Sequence, residues 1–300
     1  MKFKARQNHP NQNAHLSGDV NMVNSLSHGK QINIEPPRNW QALDLREMWH
    51  YHELLYFLTW RDIKVRYKQT AIGAAWAILQ PFLTMVVFSV IFGALLEVPT
   101  NGIPYPIFSY VALLPWTLFS GALTRSSNSL IYDANLISKV YFPRLILPIA
   151  AVLSLLLDFA ISFVILIGMM IFYKIELTSL IFTLPIFLIL ALLTALGTGL
   201  WFSALNVKYR DVAYIIPVLT TFWLFITPVL YPITIIPERW QFLYCLNPMV
   251  GVIEGFRWAL LGQQNIPLPL LLLSASIALV VFIGGLFYFR RMEYEFADVV

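Results

Sequence analysis

Six stretches of mostly apolar residues determine what this chain can fold into. A helix needs about 20 mostly apolar residues to cross the ~30 Å hydrocarbon core of a membrane. The six stretches that we interpret as such helices are residues 71–96, 107–124, 145–173, 177–205, 212–233 and 268–289. We therefore predict an all-α integral membrane protein with six transmembrane helices within residues 71–289.

The composition agrees with this prediction and excludes an ordinary water-soluble domain. Hydrophobic residues make up 58% of the 300 residues and charged residues only 12%, whereas soluble domains have about 25% charged residues. The single cysteine, Cys245, cannot form an internal disulfide. All five histidines lie before residue 53, so the apolar segments offer no imidazole for a metal site. The net charge of +4 is better explained by membrane topology than by nucleic-acid binding.

Lysine and arginine residues are unequally distributed around the apolar segments, and the cytoplasmic side of a membrane protein carries the excess. Eleven of them flank one side: Arg61, Lys64, Arg66, Lys68, Arg125, Lys139, Arg144, Lys208, Arg210, Arg290 and Arg291. Three flank the other side: Lys174, Arg239 and Arg257. Both termini are therefore predicted to be cytoplasmic, which agrees with an even number of spans. Residues 290–300 then form a cytoplasmic tail.

The residues before the first apolar segment have two parts. Residues 1–36 are polar and contain no apolar run long enough for a signal peptide, so we predict a flexible cytoplasmic tail. Residues 37–70 predict one amphipathic helix, with Asp44 and Glu47 as a capping box, followed by a basic linker. The apolar face of this helix comprises Leu45, Met48, Trp49, His52, Leu55, Tyr56 and Ile63. Such a helix is suited to the membrane interface, and a soluble helix packed on another subunit is the alternative.

Residues 232–267, between the fifth and sixth predicted spans, are apolar but repeatedly interrupted by polar residues. The apolar pieces are too short to cross a membrane singly. We therefore predict a re-entrant helical hairpin on the outer side, with Asn247 and Pro248 at its turn. Glu254 and Arg257 stand three residues apart on one helix and can pair. A structureless outer loop is the alternative.

The connection between the second and third apolar segments contains a short amphipathic stretch, residues 132–140. Asp133 or Asn135 is a candidate helix cap there, and Pro143 follows it. The pattern fits a short helix that docks on a partner, and it also fits an ordinary surface helix.

Asp158 is the one ionisable residue deep inside a predicted span. Charge within a membrane is costly and is by default a candidate for function. Ser154 and Ser162 lie at helical spacing from Asp158 and can cap it, so we interpret it as a structural polar contact.

The sequence lacks the motifs of common enzyme sites. It has no phosphate-binding P-loop, no G-x-S-x-G motif, no H-E-x-x-H motif and no pair of intramembrane carboxylates. We therefore predict no catalytic residue, no metal and no cofactor in this chain.

Several motifs occur in order along the chain. They are residues 61–70 (RDIKVRYKQT), Gly73 with Trp76, Gln80-Pro81, Pro104-Tyr105-Pro106, residues 137–144 (ISKVYFPR) and residues 293–298 (EYEFAD). Residues 45–300 thereby closely resemble the membrane subunits of type-2 ABC exporters for O-antigen, capsule and teichoic acid. The polar N-terminus lies outside the resemblance.

The resemblance implies a homodimer of this permease with two copies of a separate ATPase, which would bind ATP and Mg²⁺. Such an assembly in the inner membrane moves undecaprenyl-diphosphate-linked polysaccharide out of the cytoplasm. The resemblance also implies that the amphipathic helix and the helix near residue 135 contact the ATPase, and that the hairpin gates the channel. The coupling residues would be Asn135, Leu136, Ile137 and Lys139, and the gate residues Asn247, Pro248, Glu254 and Arg257.

Basic residues at the predicted cytoplasmic mouth are candidates for contact with the lipid diphosphate. They are Arg61, Lys64, Arg66 and Lys68, although topology alone also accounts for such charges. Two other functions stay open. One is an integral-membrane transferase acting on lipid-linked sugars, and the other is a type-2 ABC exporter of drugs or small lipids.

Overall fold

A computed structural model describes residues 45–68, 73, 75–176, 178–262 and 268–293, and over these residues the secondary structure is entirely helical. The helices before the middle of the chain are α1 (Leu45–His50), α2 (His52–Lys68), α3 (Ala75–Phe88, extended by a π-helix over Ser89–Leu95), α4 (Tyr105–Tyr132), α5 (Ala134–Ile137), α6 (Ile146–Leu153) and α7 (Leu156–Phe172). The later helices are α8 (Leu184–Lys208), α9 (Val212–Ile226), α10 (Glu238–Tyr244), α11 (Pro248–Leu261) and α12 (Leu268–Met292). Short 3₁₀ turns cover Ser179–Thr183 and Ile233–Ile235.

Within the described residues, five helical segments are long and apolar enough to cross a membrane. They are Ala75–Leu95, Tyr105–Tyr132, Ile146–Phe172, Ser179–Lys208 and Leu268–Met292. The fifth predicted span, 212–233, is helical only over the 15 residues of α9, about 22 Å of helix. Thr227 is extended, as a residue before proline prefers, and Pro228 follows it. The prediction of one helix through residue 233 is therefore wrong, and the count of six spans stays a prediction.

Helix α4 occupies the centre of the bundle, and most of its side chains are buried. It packs against α6, α7, α8 and α11. Helix α4 is longer than the predicted span 107–124 because its polar end bonds to its own backbone. Ser127 donates to the Leu123 carbonyl at 2.6 Å, and the Asn128 side chain donates to the Thr124 carbonyl at 2.8 Å.

Helices α8 and α12 cross at glycine residues. A Cβ atom at Gly197 would lie 2.6 Å from the Cα atom of Phe282, and one at Gly285 would lie 2.4 Å from the Gly197 carbonyl oxygen. Only glycine permits this separation, because any side chain would force the two backbones apart.

The third predicted span, 145–173, is broken between α6 and α7. Ser154 and Leu155 form the break, and the Ser154 hydroxyl donates to the Ala151 carbonyl at 2.8 Å. A hydroxyl bound to the preceding turn is a common local cause of helix bending. Helices α6 and α7 together nevertheless form one segment of spanning length, Ile146–Phe172, as predicted for the third span, with a break that the sequence did not indicate.

The predicted N-terminal amphipathic helix is divided at Tyr51 into α1 and α2. Met48 and Leu55 are partly buried and pack against the buried cluster that contains Leu58. Trp49 and Tyr56, which were assigned to the same face, are 77% and 71% exposed, so the apolar face is only partly covered by the rest of the chain. Contact of this face with the membrane interface stays a prediction. The predicted tail 1–36, the capping box of Asp44 with Glu47 and the tail residues 294–300 lie outside the part of the chain whose structure and side chains are described.

The predicted hairpin region contains two helices, α10 and α11, joined by a turn at residues 245–247. The glycines of α11 serve packing within the chain: Gly251 lies against Ser274 and Gly255 against Phe187. The two helices argue against a structureless loop, whereas their depth in a membrane stays a prediction.

Candidate functional site

One cluster of charges joins α2 to the junction of α4 and α5. The Arg61 guanidinium donates to both carboxylate oxygens of Asp133, from Nη1 to Oδ1 at 2.7 Å and from Nη2 to Oδ2 at 2.8 Å. Arg61 also contacts Asp62 at 2.8 Å. The hydrogen bond to Asp133 is the main reason that the pKa of Arg61 lies above its ordinary value. Asp133 occupies the N-cap position of α5 but makes no capping bond, so its predicted capping role is wrong.

A second cluster joins α2 to α7. Arg66 forms an ion pair with Asp158, and the Tyr67 hydroxyl donates to the same carboxylate. Burial, and then the bond to Asp158, raises the pKa of Tyr67 to about 12. Arg66 also donates to the Ser154 hydroxyl at 2.9 Å.

The structure changes the predicted partners of Asp158. Ser154 accepts a bond from Arg66, and Ser162 donates to the Ala77 carbonyl at 2.8 Å. Neither serine caps Asp158, so that expectation is wrong. Its partners, Arg66 and Tyr67, are supplied by a helix about ninety residues away in sequence.

The four basic residues predicted for substrate entry fall into two pairs. Arg61 and Arg66 are held in the two ion-paired clusters. Lys64 and Lys68 are exposed and form no ion pair with any described residue. The Lys64 ammonium lies 5.5 Å from the centre of the Trp60 ring.

The predicted coupling helix is only four residues long, Ala134–Ile137, because the chain turns at residues 138–140. Leu136 and Ile137 are partly buried and pack inward against the cluster that contains Leu58, whereas Asn135 and Lys139 are exposed. The docking face assigned to Leu136 and Ile137 therefore points into the protein. The exposed apolar side chains beside it are Tyr132, Val140 and Tyr141.

Two of the sequence motifs meet at the end of this connection. The Arg144 backbone N–H donates to the Glu293 carboxylate at 3.1 Å, and the Arg144 side chain donates to the Glu293 carbonyl. Glu293 also accepts from Arg290 at 2.9 Å. The connection is thereby fastened to the end of α12.

The Glu254–Arg257 pair predicted from spacing is present and buried. Nη1 of Arg257 lies 2.8 Å from Oε1 of Glu254, and only 2% of Arg257 is exposed. Arg257 also donates to the carbonyls of Pro228 at 2.7 Å and Val229 at 2.9 Å. Its guanidinium lies 3.7 Å from the centre of the Phe108 ring, a cation–π contact that the sequence did not indicate.

Asn247 and Pro248 begin α11, as expected for a turn followed by a helix. The Asn247 side chain accepts from the Met249 N–H at 3.1 Å and from Trp223 Nε1 at 3.1 Å, and it donates to the Thr227 hydroxyl at 2.9 Å. Pro248 occupies a first-turn position, where a missing N–H costs nothing. Asn247 therefore connects the hairpin to the end of α9.

An apolar groove of about 620 Å³ lies between α3 and α7. Met85, Val90 and Met169 line it beside Gly168, whose missing side chain leaves open space. Its lining contains no charged residue, so it is suited to hydrocarbon rather than to an ionic group.

Comparison with known proteins identifies the family of the chain. The profile of the family described as ABC-2 type transporter matches residues 53–261. The chain belongs to the ABC-2 type transporter family. Every site residue predicted from the sequence lies within the matched range, and the family resemblance is confirmed.

Relatives of this ABC-2 family member are named as permeases. The chain is 31% identical over 256 residues to an O-antigen export system permease of Myxococcus xanthus, covering 83% of this chain and 97% of the relative. It is 29% identical over 250 residues to an O-antigen export system permease of Klebsiella pneumoniae, with 83% and 95% covered. It is 26% identical over 239 residues to a polysialic acid transport protein of Escherichia coli, with 78% and 91% covered. The chain is thus a multi-pass ABC-2 membrane protein, and its relatives agree with a transport subunit rather than an enzyme.

Proposed function

We propose that this chain is the permease of an ATP-driven exporter that moves undecaprenyl-diphosphate-linked polysaccharide from the cytoplasm across the inner membrane. It would act as a homodimer with two copies of a separate ATPase subunit and with both termini in the cytoplasm. The observation that carries this proposal is the match to O-antigen export permeases, which extends over 97% of one relative. A match of this extent includes the whole membrane domain rather than one shared motif.

The ion pair between Arg61 and Asp133 supports a route for coupling to the ATPase. It fastens α2 to the start of α5, the two elements that the family resemblance assigns to ATPase contact. A push on either element is then transmitted to the other and to the end of α4. Because α4 packs centrally, its movement reaches α6, α7, α8 and α11.

The hairpin is proposed as the outer gate. Arg257 holds α11 against the carbonyls of Pro228 and Val229, and Asn247 holds the same helix against Thr227. The hairpin and the end of α9 are thus joined at two places, so a shift of α9 would carry the hairpin with it.

Co-expression with the cognate ATPase tests the proposed function. The two proteins should co-purify in equal numbers, and mass spectrometry of the purified complex should detect a lipid-linked glycan. Cells that lack the permease should recover surface polysaccharide when this chain is supplied, and an ATPase variant unable to hydrolyse ATP is the control. Export of a small lipid or drug without glycan would support the other exporter class. Sugar transfer by the permease alone would support the transferase.

A further inference from the structure

Residues 61–68 of α2 and the adjoining parts of α4 and α7 carry an excess of positive charge. The cations are Arg61, Lys64, Arg66, Lys68 and Arg125, and the carboxylates are Asp62, Asp133 and Asp158. Five cations against three carboxylates leave two positive charges in excess.

All three carboxylates are already engaged. Arg61 binds Asp62 and Asp133, and Arg66 binds Asp158. Arg125 consequently forms neither a hydrogen bond nor an ion pair with any residue that the structure describes. It is the cation of this group that is partly buried and yet has no carboxylate of its own.

The surroundings of Arg125 leave its guanidinium partly dehydrated and without a bonded carboxylate. It lies on the central helix α4, partly shielded from water, with Arg66 as a like charge within electrostatic range. The carboxylates of Asp158 and Asp62 attract it from a distance, but they are bound by Arg66 and Arg61. Lys64 and Lys68 are exposed, so water can solvate their charges. A partly dehydrated guanidinium gains more from an anion than an exposed ammonium does, and its planar donors match the oxygens of a phosphate in pairs.

We propose that Arg125 binds the diphosphate group of the lipid-linked substrate, with Lys64 and Lys68 adding positive potential at the approach. This inference rests on the proposed function, because that function supplies the ligand. Arg61 and Arg66 then hold helices together through their carboxylates and do not contact the substrate. The apolar groove between α3 and α7, whose lining includes none of the five cations, is suited to the hydrocarbon part of the lipid.

Binding of defined lipids to the full chain in nanodiscs tests the site. The probes are undecaprenyl diphosphate, undecaprenol, phosphatidylglycerol and inorganic pyrophosphate. Arg125→Ala should weaken undecaprenyl diphosphate binding at least about tenfold, and Arg125→Lys should weaken it less. Arg210→Ala, which removes an exposed cation of the α8–α9 connection, should change binding by less than about twofold.

Comparison of the four probes shows whether the site binds a lipid diphosphate, any anionic lipid or a free diphosphate. Undecaprenol should bind without any effect of Arg125→Ala, and pyrophosphate should compete with undecaprenyl diphosphate. Equal affinity for phosphatidylglycerol would overturn the preference for a diphosphate. Pyrophosphate binding that depends on Arg125, without binding of the lipid, would overturn the lipid as its source. Equal binding of undecaprenyl diphosphate by the unaltered chain and Arg125→Ala would overturn the site itself.

Thermal unfolding separates ligand binding from a structural role. Without ligand, Arg125→Ala should unfold at the same temperature as the unaltered chain or higher, because it removes an unpaired charge. The rise in unfolding temperature that undecaprenyl diphosphate produces should be lost. A lower unfolding temperature without ligand would instead show that Arg125 stabilises the fold and would overturn the proposal. Binding is measured without the ATPase, so an absence of glycan export by the unaltered complex would overturn the proposed function alone.

Discussion

Arg61 and Asp133 lie 72 residues apart in sequence and meet through two parallel hydrogen bonds of 2.7 and 2.8 Å. Asp62 also contacts Arg61, but it is the next residue in the chain and joins no second element. The two carboxylates therefore share one guanidinium while only Asp133 connects α2 to the α4–α5 junction. Because of this difference, the link between α2 and the α4–α5 junction can be tested separately from the loss of a negative charge beside Arg61.

Asp133→Ala should uncouple transport from ATP hydrolysis more strongly than Asp62→Ala. Both variants remove one negative charge beside Arg61, but only the first releases α2 from the α4–α5 junction. A double-mutant cycle between residues 61 and 133 should give a coupling energy of about 1 kcal/mol, because the pair is partly exposed. The measurement is glycan export per ATP hydrolysed, and equal losses in the two variants would contradict the connection.

Tyr132→Asp and Val140→Asp should reduce stimulated ATPase activity while the permease keeps its thermal stability. Tyr132 is 79% exposed and Val140 is also exposed, so a carboxylate there disturbs only a docked partner. Leu136→Asp should lower the stability of the permease itself, since this side chain packs inward. Stability is followed by thermal unfolding and docking by co-purification. A stable Leu136→Asp permease that fails to bind the ATPase would support the docking face first predicted at Leu136 and Ile137.

Arg257→Ala should impair export and stability more than Arg239→Ala. Loss of Arg257 leaves the buried Glu254 carboxylate without a cation, which typically costs about 3–5 kcal/mol. Arg239 is exposed and lies beside Trp240, so its loss leaves no buried charge. Unfolding temperature and export are compared in both variants, and equal effects would show that the buried pair is dispensable.

A cysteine at residue 249 should react slowly with a bulky impermeant thiol reagent in the resting state, in a Cys245→Ser background. Met249 is fully buried, whereas Leu243 on the neighbouring helix is 56% exposed, so Leu243→Cys is the matched rapid control. Labelling of residue 249 should accelerate during transport if the hairpin opens. Rapid labelling of residue 249 at rest would exclude a closed gate.

Reporter fusions after Lys139 and Val300 should be cytoplasmic, and fusions after Thr100 and Glu176 should lie outside. The expectation follows from the excess of eleven basic residues over three on the other side. An external C-terminus would mean an odd number of spans and would remove α9 from the set of spanning helices.

Local sequence patterns predicted the contacts that are local in the fold. The three-residue spacing of Glu254 and Arg257 indicated their pairing, and the Asn247-Pro248 step indicated the start of a helix. The partners of Asp158 were not predictable in this way, because Arg66 reaches it from a helix about ninety residues earlier. Such a contact depends on how α2 packs against α7. The periodicity of residues within one segment does not predict packing between distant segments.

Hydrophobicity alone also gave a wrong prediction of where the fifth span ends. Residues 227–233 carry no charge and include Val229, Leu230 and Ile233, so hydropathy extended the span through them. The backbone nevertheless leaves the helix at Thr227, where the following proline and the bond from Asn247 favour an extended residue. Likewise, Arg125 counted only toward topology until its unpaired position on α4 became visible. Its nearest sequence signal is a charge directly after an apolar run, which many membrane proteins share.

The glycine crossing of α8 and α12 has a consequence for how the protein can work. With the backbone of Gly197 in contact with Phe282 and Gly285, neither helix can slide or turn past the other without a collision of main-chain atoms. These two helices therefore move as one unit. Relative movement within the chain is then left to other helices, such as α3 and α9, where the side chains of Val87 and Phe222 are 53% and 65% exposed.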